Sequence, residues 1–147
     1  MIGFLIAVDQ LVKFTITNRI YNSSVTLING ILDLTYIENT GGAFGIGNRI
    51  TIIFVIVNII VIALITRFLL LKKDELPTNM LLGLGLIISG GVGNLIDRIF
   101  RGFVIDYIDF NQLIKYPVFN IADVCVVLGC MIIGINLILD VIKERNE

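Results

Sequence analysis

Asp106 and Asp123 are two carboxylates placed where apolar segments meet their connecting loops, in a chain whose mean hydropathy is +0.96. An ionisable side chain at membrane depth is costly and marks a functional site by default. The 147 residues include no histidine. That removes the usual general base, the commonest metal ligand and the histidine-activated nucleophiles, leaving acids, Lys, Tyr and Cys for proton chemistry. Two acids held close together cannot both ionise cheaply, so one keeps its proton while the other is a carboxylate. Such a pair can hydrolyse an amide. The carboxylate takes a proton from an attacking water, and the protonated partner polarises the carbonyl oxygen and then helps the amine leave.

A repeated Asn-x-x-Asp pattern surrounds the pair: Asn94 with Asp97, and Asn120 with Asp123. Residues three apart share a helix face, so each pair presents one amide and one carboxylate to the same side. The amide can orient a carboxylate or a substrate carbonyl; equally, the four residues could form a satisfied polar network that only locks helix packing. Arg98, next to Asp97, has three open roles: snorkelling to the headgroups, pairing with an acid, or holding a lipid phosphate or a backbone carbonyl. Asp9 and Lys13 have the spacing of an intrahelical ion pair and read as structural. Gly90-Gly91-Val92-Gly93 reads as small-residue helix packing; with no Lys-Ser/Thr after it, it is not a phosphate loop. Cys125 and Cys130, five apart in one apolar stretch, read as core residues.

Four apolar segments must position these groups, at about 1–17, 50–71, 79–96 and 118–142, in one integral membrane domain covering 1–147. The first lacks a basic n-region and a small-residue cleavage site, so it reads as a span rather than a cleaved leader. With 56% hydrophobic residues, the chain needs lipid as solvent for much of its surface. The expected fold is all-α: a four-transmembrane-helix bundle with a small extracytoplasmic β-hairpin or sheet element and an interfacial loop. Asn29-Gly30 between β-branched runs predicts that hairpin over Val25–Ile37, closed by a type I′ turn. The outer loops are 18–49 and 97–117. The second is expected to lie along the interface with Tyr107, Phe110 and Tyr116 at headgroup level. Arg67, Lys72, Lys73, Lys143 and Arg145 favour cytoplasmic termini. Arg19, Arg49, Arg98, Arg101 and Lys115 offset that bias by count. A net charge of -1 without a basic run argues against nucleic acid.

Five blocks in order resemble the lipoprotein signal peptidases (signal peptidase II), bacterial membrane aspartyl proteases, over nearly the whole chain. They are Asp9-Gln10-x-x-Lys13; Asn39-Thr40-Gly41-Gly42-Ala43-Phe44-Gly45; Gly90 to Arg98; Val104-Ile105-Asp106-Tyr107; and Pro117 to Asp123. The resemblance implies that Asp106 and Asp123 are catalytic and that Asn94, Asp97, Arg98 and Asn120 support the site. Asn39, Gly41 and the glycine-rich stretch after them would frame the substrate. Asp9 and Lys13 match a pair that matters for activity or stability and not for the chemistry itself. It further implies a diacylglyceryl-modified prolipoprotein substrate cut just before the lipidated cysteine, no cofactor or metal, and sensitivity to globomycin-like peptides. A monomer in the bacterial cytoplasmic membrane is expected, with the site near the extracytoplasmic face. Val124, where the family often has a small polar residue, and Tyr107, where Phe is frequent, depart from the pattern. The first segment is also shorter than usual before Asp9, as a truncated start would make it. Two other classes fit the acids alone: a proton- or ion-coupled carrier using them as relays, and a membrane subunit with a polar packing core.

Overall fold

The structure, a computed structural model, describes residues 1–41 and 47–146, and leaves the side chains of 47–50 and 146 undescribed. In chain order the elements are α1 (Ile2–Ile20), β1 (Ser24–Ile28), β2 (Leu32–Asn39), α2 (Gly47–Lys72), α3 (Thr78–Phe100), β3 (Val104–Asp109) and α4 (Ile121–Asn146). Among the described residues, three helical stretches are long and apolar enough to cross a membrane: Thr51–Lys72, Thr78–Phe100 and Ile121–Arg145. The expectation of four such helices is therefore met only in part. α1 has 19 residues, but it carries Asp9, Gln10, Lys13 and Arg19. Its fully buried ion pair is turned inward, against α3.

α3 is the central helix, and its glycines explain how it serves three neighbours. A Cβ at Gly90 would lie 2.1 Å from the Ala122 carbonyl of α4, one at Gly91 would lie 3.1 Å from Asn58 of α2, and one at Gly93 would lie 2.7 Å from the Asp9 carboxylate of α1. At about 100° per residue, Gly90 and Gly93 lie about 60° apart on one side of the helix, toward α4 and α1, and Gly91 points to another side, toward α2. Without side chains they let three helices approach closely, as small residues do in membranes. Asn58 ties α2 to the Gly91 carbonyl at 3.0 Å. Gly90→Ala is accordingly expected to cost about 1–3 kcal/mol by overpacking. Gly134→Ala, which meets nothing within 4 Å, is expected to be neutral. Thermal melts of the two variants in the same detergent check the contrast.

The expected hairpin forms, with a different turn. Gly30 has φ +75, and Asn29 is not among the residues at positive φ, so this is the type II pattern and not I′. Ile31 N–H closes the turn on the Ile28 carbonyl at 3.0 Å, with an irregularity between Thr26 and Ile28. A third strand, β3, extends the sheet antiparallel in the order β1-β2-β3. It replaces part of the loop expected along the interface. Tyr107 correspondingly does not face outward as an interfacial aromatic would: it is 3% exposed and packs with Ile16, Ile20, Tyr36 and Ile105. Tyr116 is exposed, as expected of an interfacial aromatic. The sheet thus caps the C-terminal end of α1 and holds β3 beside the start of α4.

Candidate active site

β3 and the first turn of α4 supply the two carboxylates. Asp106 is buried on β3, opposite Ile37 of β2. Asp123 is half-buried in the first turn of α4. Its Oδ2 accepts the Asn120 backbone N–H at 3.2 Å, while the Asp123 N–H donates to Asn120 Oδ1 at 3.0 Å. This reciprocal arrangement is a capping box, and it fixes where α4 begins. Helix α4 therefore starts three residues later than the sequence pattern suggests.

Asn120 joins the two acids. Its Nδ2 donates to Asp106 Oδ1 at 2.6 Å, while its backbone N–H holds Asp123. Asn39 Nδ2 donates to Asp106 Oδ2 at 2.7 Å, and Asn94 Nδ2 donates to Asp123 Oδ1 at 2.7 Å. Each of these amides is oriented by a partner that can only donate. Asn39 Oδ1 accepts the Gly41 N–H at 2.8 Å, Asn120 Oδ1 accepts the Asp123 N–H, and Asn94 Oδ1 accepts the Lys13 ammonium at 3.0 Å. An amide whose oxygen is claimed by a donor must present its NH2 to the other side. All three therefore present NH2 groups to carboxylate oxygens. Gly41 adopts φ +76 to make its part of this turn, which a side chain would strain.

Burial pushes the Asp106 carboxyl up to about 6; hydrogen bonds from Asn39 and Asn120 pull against that rise, and the Asp123 charge adds to it. Burial wins because a carboxylate only 2% exposed has lost nearly all of its water, and two neutral amides do not replace a full hydration shell.

A second cluster lies behind the first. The Lys13 ammonium pairs with Asp9 at 2.9 Å, as the spacing predicts, and also with Asp97 at 2.8 Å. Asp97 accepts from Arg101, from Gln10 Nε2 at 3.2 Å and from the Ile105 N–H at 3.3 Å. It thus lies behind the acids, next to the residue that precedes Asp106, and among the described contacts it touches neither carboxylate. Asp9 Oδ1 accepts the Ala122 N–H at 3.2 Å, tying α1 to the start of α4. Arg98 Nη1 donates to the Asn94 carbonyl at 3.3 Å, and its guanidinium stacks 5.3 Å over Phe54. Of its three roles, holding a backbone carbonyl is the one seen. Gln10 and Arg101 are contributors that residue types alone did not single out. Arg101 had a readable signal, since it follows Asp97 by four on the same helix.

An apolar groove of about 390 Å³ ends at Asp123, lined by Phe110, Ile114, Tyr116, Phe119, Val124, Val127, Leu128 and Met131. A larger one of about 600 Å³ between α2 and α3, beside Leu95 and Arg67, contains neither acid. Gly42, Ala43, Phe44 and Gly45 of the expected substrate-framing stretch lie outside the described residues.

A family model described as signal peptidase (SPase) II matches residues 1–139. The lipoprotein signal peptidase of Clostridioides difficile (strain 630) is 41% identical over 146 residues, covering 99% of this chain and 97% of that one. That of Clostridium acetobutylicum is 35% identical over 145 residues, covering 97% and 94%. Among solved structures, a bacterial membrane enzyme determined by the in meso method at 2.3 Å superposes with a TM-score of 0.85 at 30% identity. That match covers 99% of this chain and 89% of the other.

Proposed function

The chain belongs to the signal peptidase II family, and from that premise we propose that it is a membrane aspartyl endopeptidase. Its substrate is a diacylglyceryl-modified prolipoprotein, cut just before the lipidated cysteine. The observation that carries the reading is Asn120, which bridges Asp106 and Asp123 at the edge of an apolar bundle. Asp106, with its raised affinity for a proton, is the acid, and Asp123 is the base. Asp123 takes a proton from water as the water oxygen adds to the scissile carbonyl, while the Asp106 proton moves onto the carbonyl oxygen. Collapse of the tetrahedral adduct breaks the C–N bond. The amine leaves with the proton that Asp123 had taken, and the adduct hydroxyl returns its proton to Asp106. Asn94 and Asn120 hold the base, and Asn39 and Asn120 hold the acid. The aromatic-lined groove at Asp123 suits an acyl chain arriving beside the scissile bond. No observation favours the carrier reading.

The charge distribution along α4 supports a placement in the membrane. Asp123 stands in its first turn, and Lys143 and Arg145 stand in its last. Twenty-six residues put those ends roughly 39 Å apart. Arg101 is held by Asp97 and Arg98 lies over Phe54, so two cations of the site end are engaged within the protein. The remaining bias puts Arg67, Lys72, Lys73, Lys143 and Arg145 on the cytoplasmic side. On this reading α1 is the fourth span, the whole chain is one membrane domain, and the acids face the extracytoplasmic side.

The test is a gel-shift assay of purified protein with a lipidated precursor and with the same precursor unlipidated. Cleavage of the lipidated form alone is expected, and equal cleavage of both would overturn the lipid requirement. The same assay reads the pH dependence. The acid must hold its proton, so kcat/KM in the free enzyme is expected to fall as pH rises through about 6, the value for Asp106. Asn39 donates to the ionised form of Asp106 and so lowers its proton affinity. Asn39→Leu is expected to move this alkaline limb to higher pH; a limb moved to lower pH would contradict the assignment.

A further inference from the structure

We infer that Lys13 is a positioning residue for Asp123, acting through the Asn94 amide across the α1–α3 interface. The inference rests on reading Asp106 and Asp123 as the catalytic pair. Lys13 is 0% exposed, and its ammonium has three N–H donors. The three acceptors around it are Asp9 Oδ2 at 2.9 Å, Asp97 Oδ2 at 2.8 Å and Asn94 Oδ1 at 3.0 Å. Neutralising Asp9 needs only the first. The third reaches the oxygen of the amide whose nitrogen donates to Asp123 at 2.7 Å.

An ammonium has no acceptor, so the Asn94 oxygen must stay on the Lys13 side and its NH2 must face the carboxylate. The other two amides of the site take their orientation from backbone N–H groups close to them in the chain, Gly41 for Asn39 and Asp123 for Asn120. Asn94 takes it from a side chain on another helix, 81 residues away. The position of α1 against α3 is thereby written into the geometry of the base. The charge of Lys13 also polarises the amide, strengthening the bond at its far end. Asn120 Nδ2 donates to the same oxygen at 3.1 Å, so losing Lys13 loosens the amide without reversing it.

Lys13→Met alone strands a buried carboxylate and confuses folding with catalysis. The informative variant is Asp9→Asn/Lys13→Met, measured against Asp9→Asn. It removes one charge of each sign and leaves Asp97 paired with Arg101. With the lipidated precursor, loss of Lys13 is expected to lower kcat about tenfold and leave KM unchanged. In an Asn94→Ala background the same loss is expected to lower kcat no further, because the path is already cut. Lys13→Arg keeps the buried charge and serves if the double variant does not accumulate. A planar fork favours the two carboxylates over the amide, and the same drop in kcat is expected. Reduced folded yield with unchanged kcat per folded molecule overturns the inference, as does a kcat loss that persists in the Asn94→Ala background. Asp123→Asn in the same assay separates the two readings. If it is inactive while kcat ignores Lys13, only the positioning role fails; if it is active, the catalytic pair fails first.

Discussion

Asp123→Asn and Asp106→Asn are each expected to lower the rate of lipidated-precursor cleavage by about a thousandfold or more, with the inserted fold retained. The size follows from removing a proton-transfer group that contributes about 10²–10⁴ in rate, from a pair in which neither member substitutes for the other. Retention of the fold follows from the local geometry. An Asn at position 123 keeps one oxygen to accept the Asn120 N–H, and position 106 keeps one to accept an amide donor. What changes is the charge and one acceptor apiece, at sites already served by neutral amides. If the acids served only packing, these near-isosteric changes would lower folded yield and leave the rate per folded molecule unaffected. Circular dichroism and gel filtration in detergent, run beside the cleavage assay, distinguish the two.

The second large effect is on stability. Asp97→Leu is expected to cost about 3–5 kcal/mol, the usual penalty for breaking a buried ion network by removing one partner. Asp97 is 0% exposed and accepts from Lys13, Gln10, Arg101 and the Ile105 N–H. Its loss leaves Lys13 with Asp9 as its one remaining carboxylate partner and frees a backbone donor beside Asp106. Asp97→Leu combined with Arg101→Leu is expected to recover part of the loss. The second change removes the cation that the first leaves unpaired, and Lys13 remains balanced by Asp9. Denaturation of the two variants in the same detergent measures the difference. Equal destabilisation would show that Arg101 contributes nothing to the network.

The candidate site is legible in the sequence because polar residues in apolar surroundings are conspicuous. Asp106, Asp123, Asn94 and Asn120 stand out against Ile, Val and Leu, and the structure gathers them into one hydrogen-bonded set. The Asp9–Lys13 pair was legible from its spacing alone. Its third partner, Asp97, was not, because no spacing rule links α1 to α3. β3 was missed for a definable reason: Val104, Ile105, Asp106 and Tyr107 are all buried, so the strand has no wet face and no period of two to read. Tyr107 was misplaced with it, since an aromatic at a membrane edge and an aromatic in a small core look alike in sequence. The turn at Asn29-Gly30 was misassigned because an irregularity at Thr26/Ile28 lengthens the connection beyond the two-residue loop that a I′ turn closes. In sequence α1 resembles the other apolar segments, and its buried ion pair is what sets it apart from the three helices apolar enough to cross a membrane.

The proposed hydrolysis requires the two acids to act on one water, and an experimental structure in lipid at a resolution that places ordered solvent measures that directly. The expected result is a single water within about 3 Å of a carboxylate oxygen of both Asp106 and Asp123, at the mouth of the groove lined by Phe119 and Val124. Protein atoms filling the space between those oxygens, with no water shared by them, would contradict it.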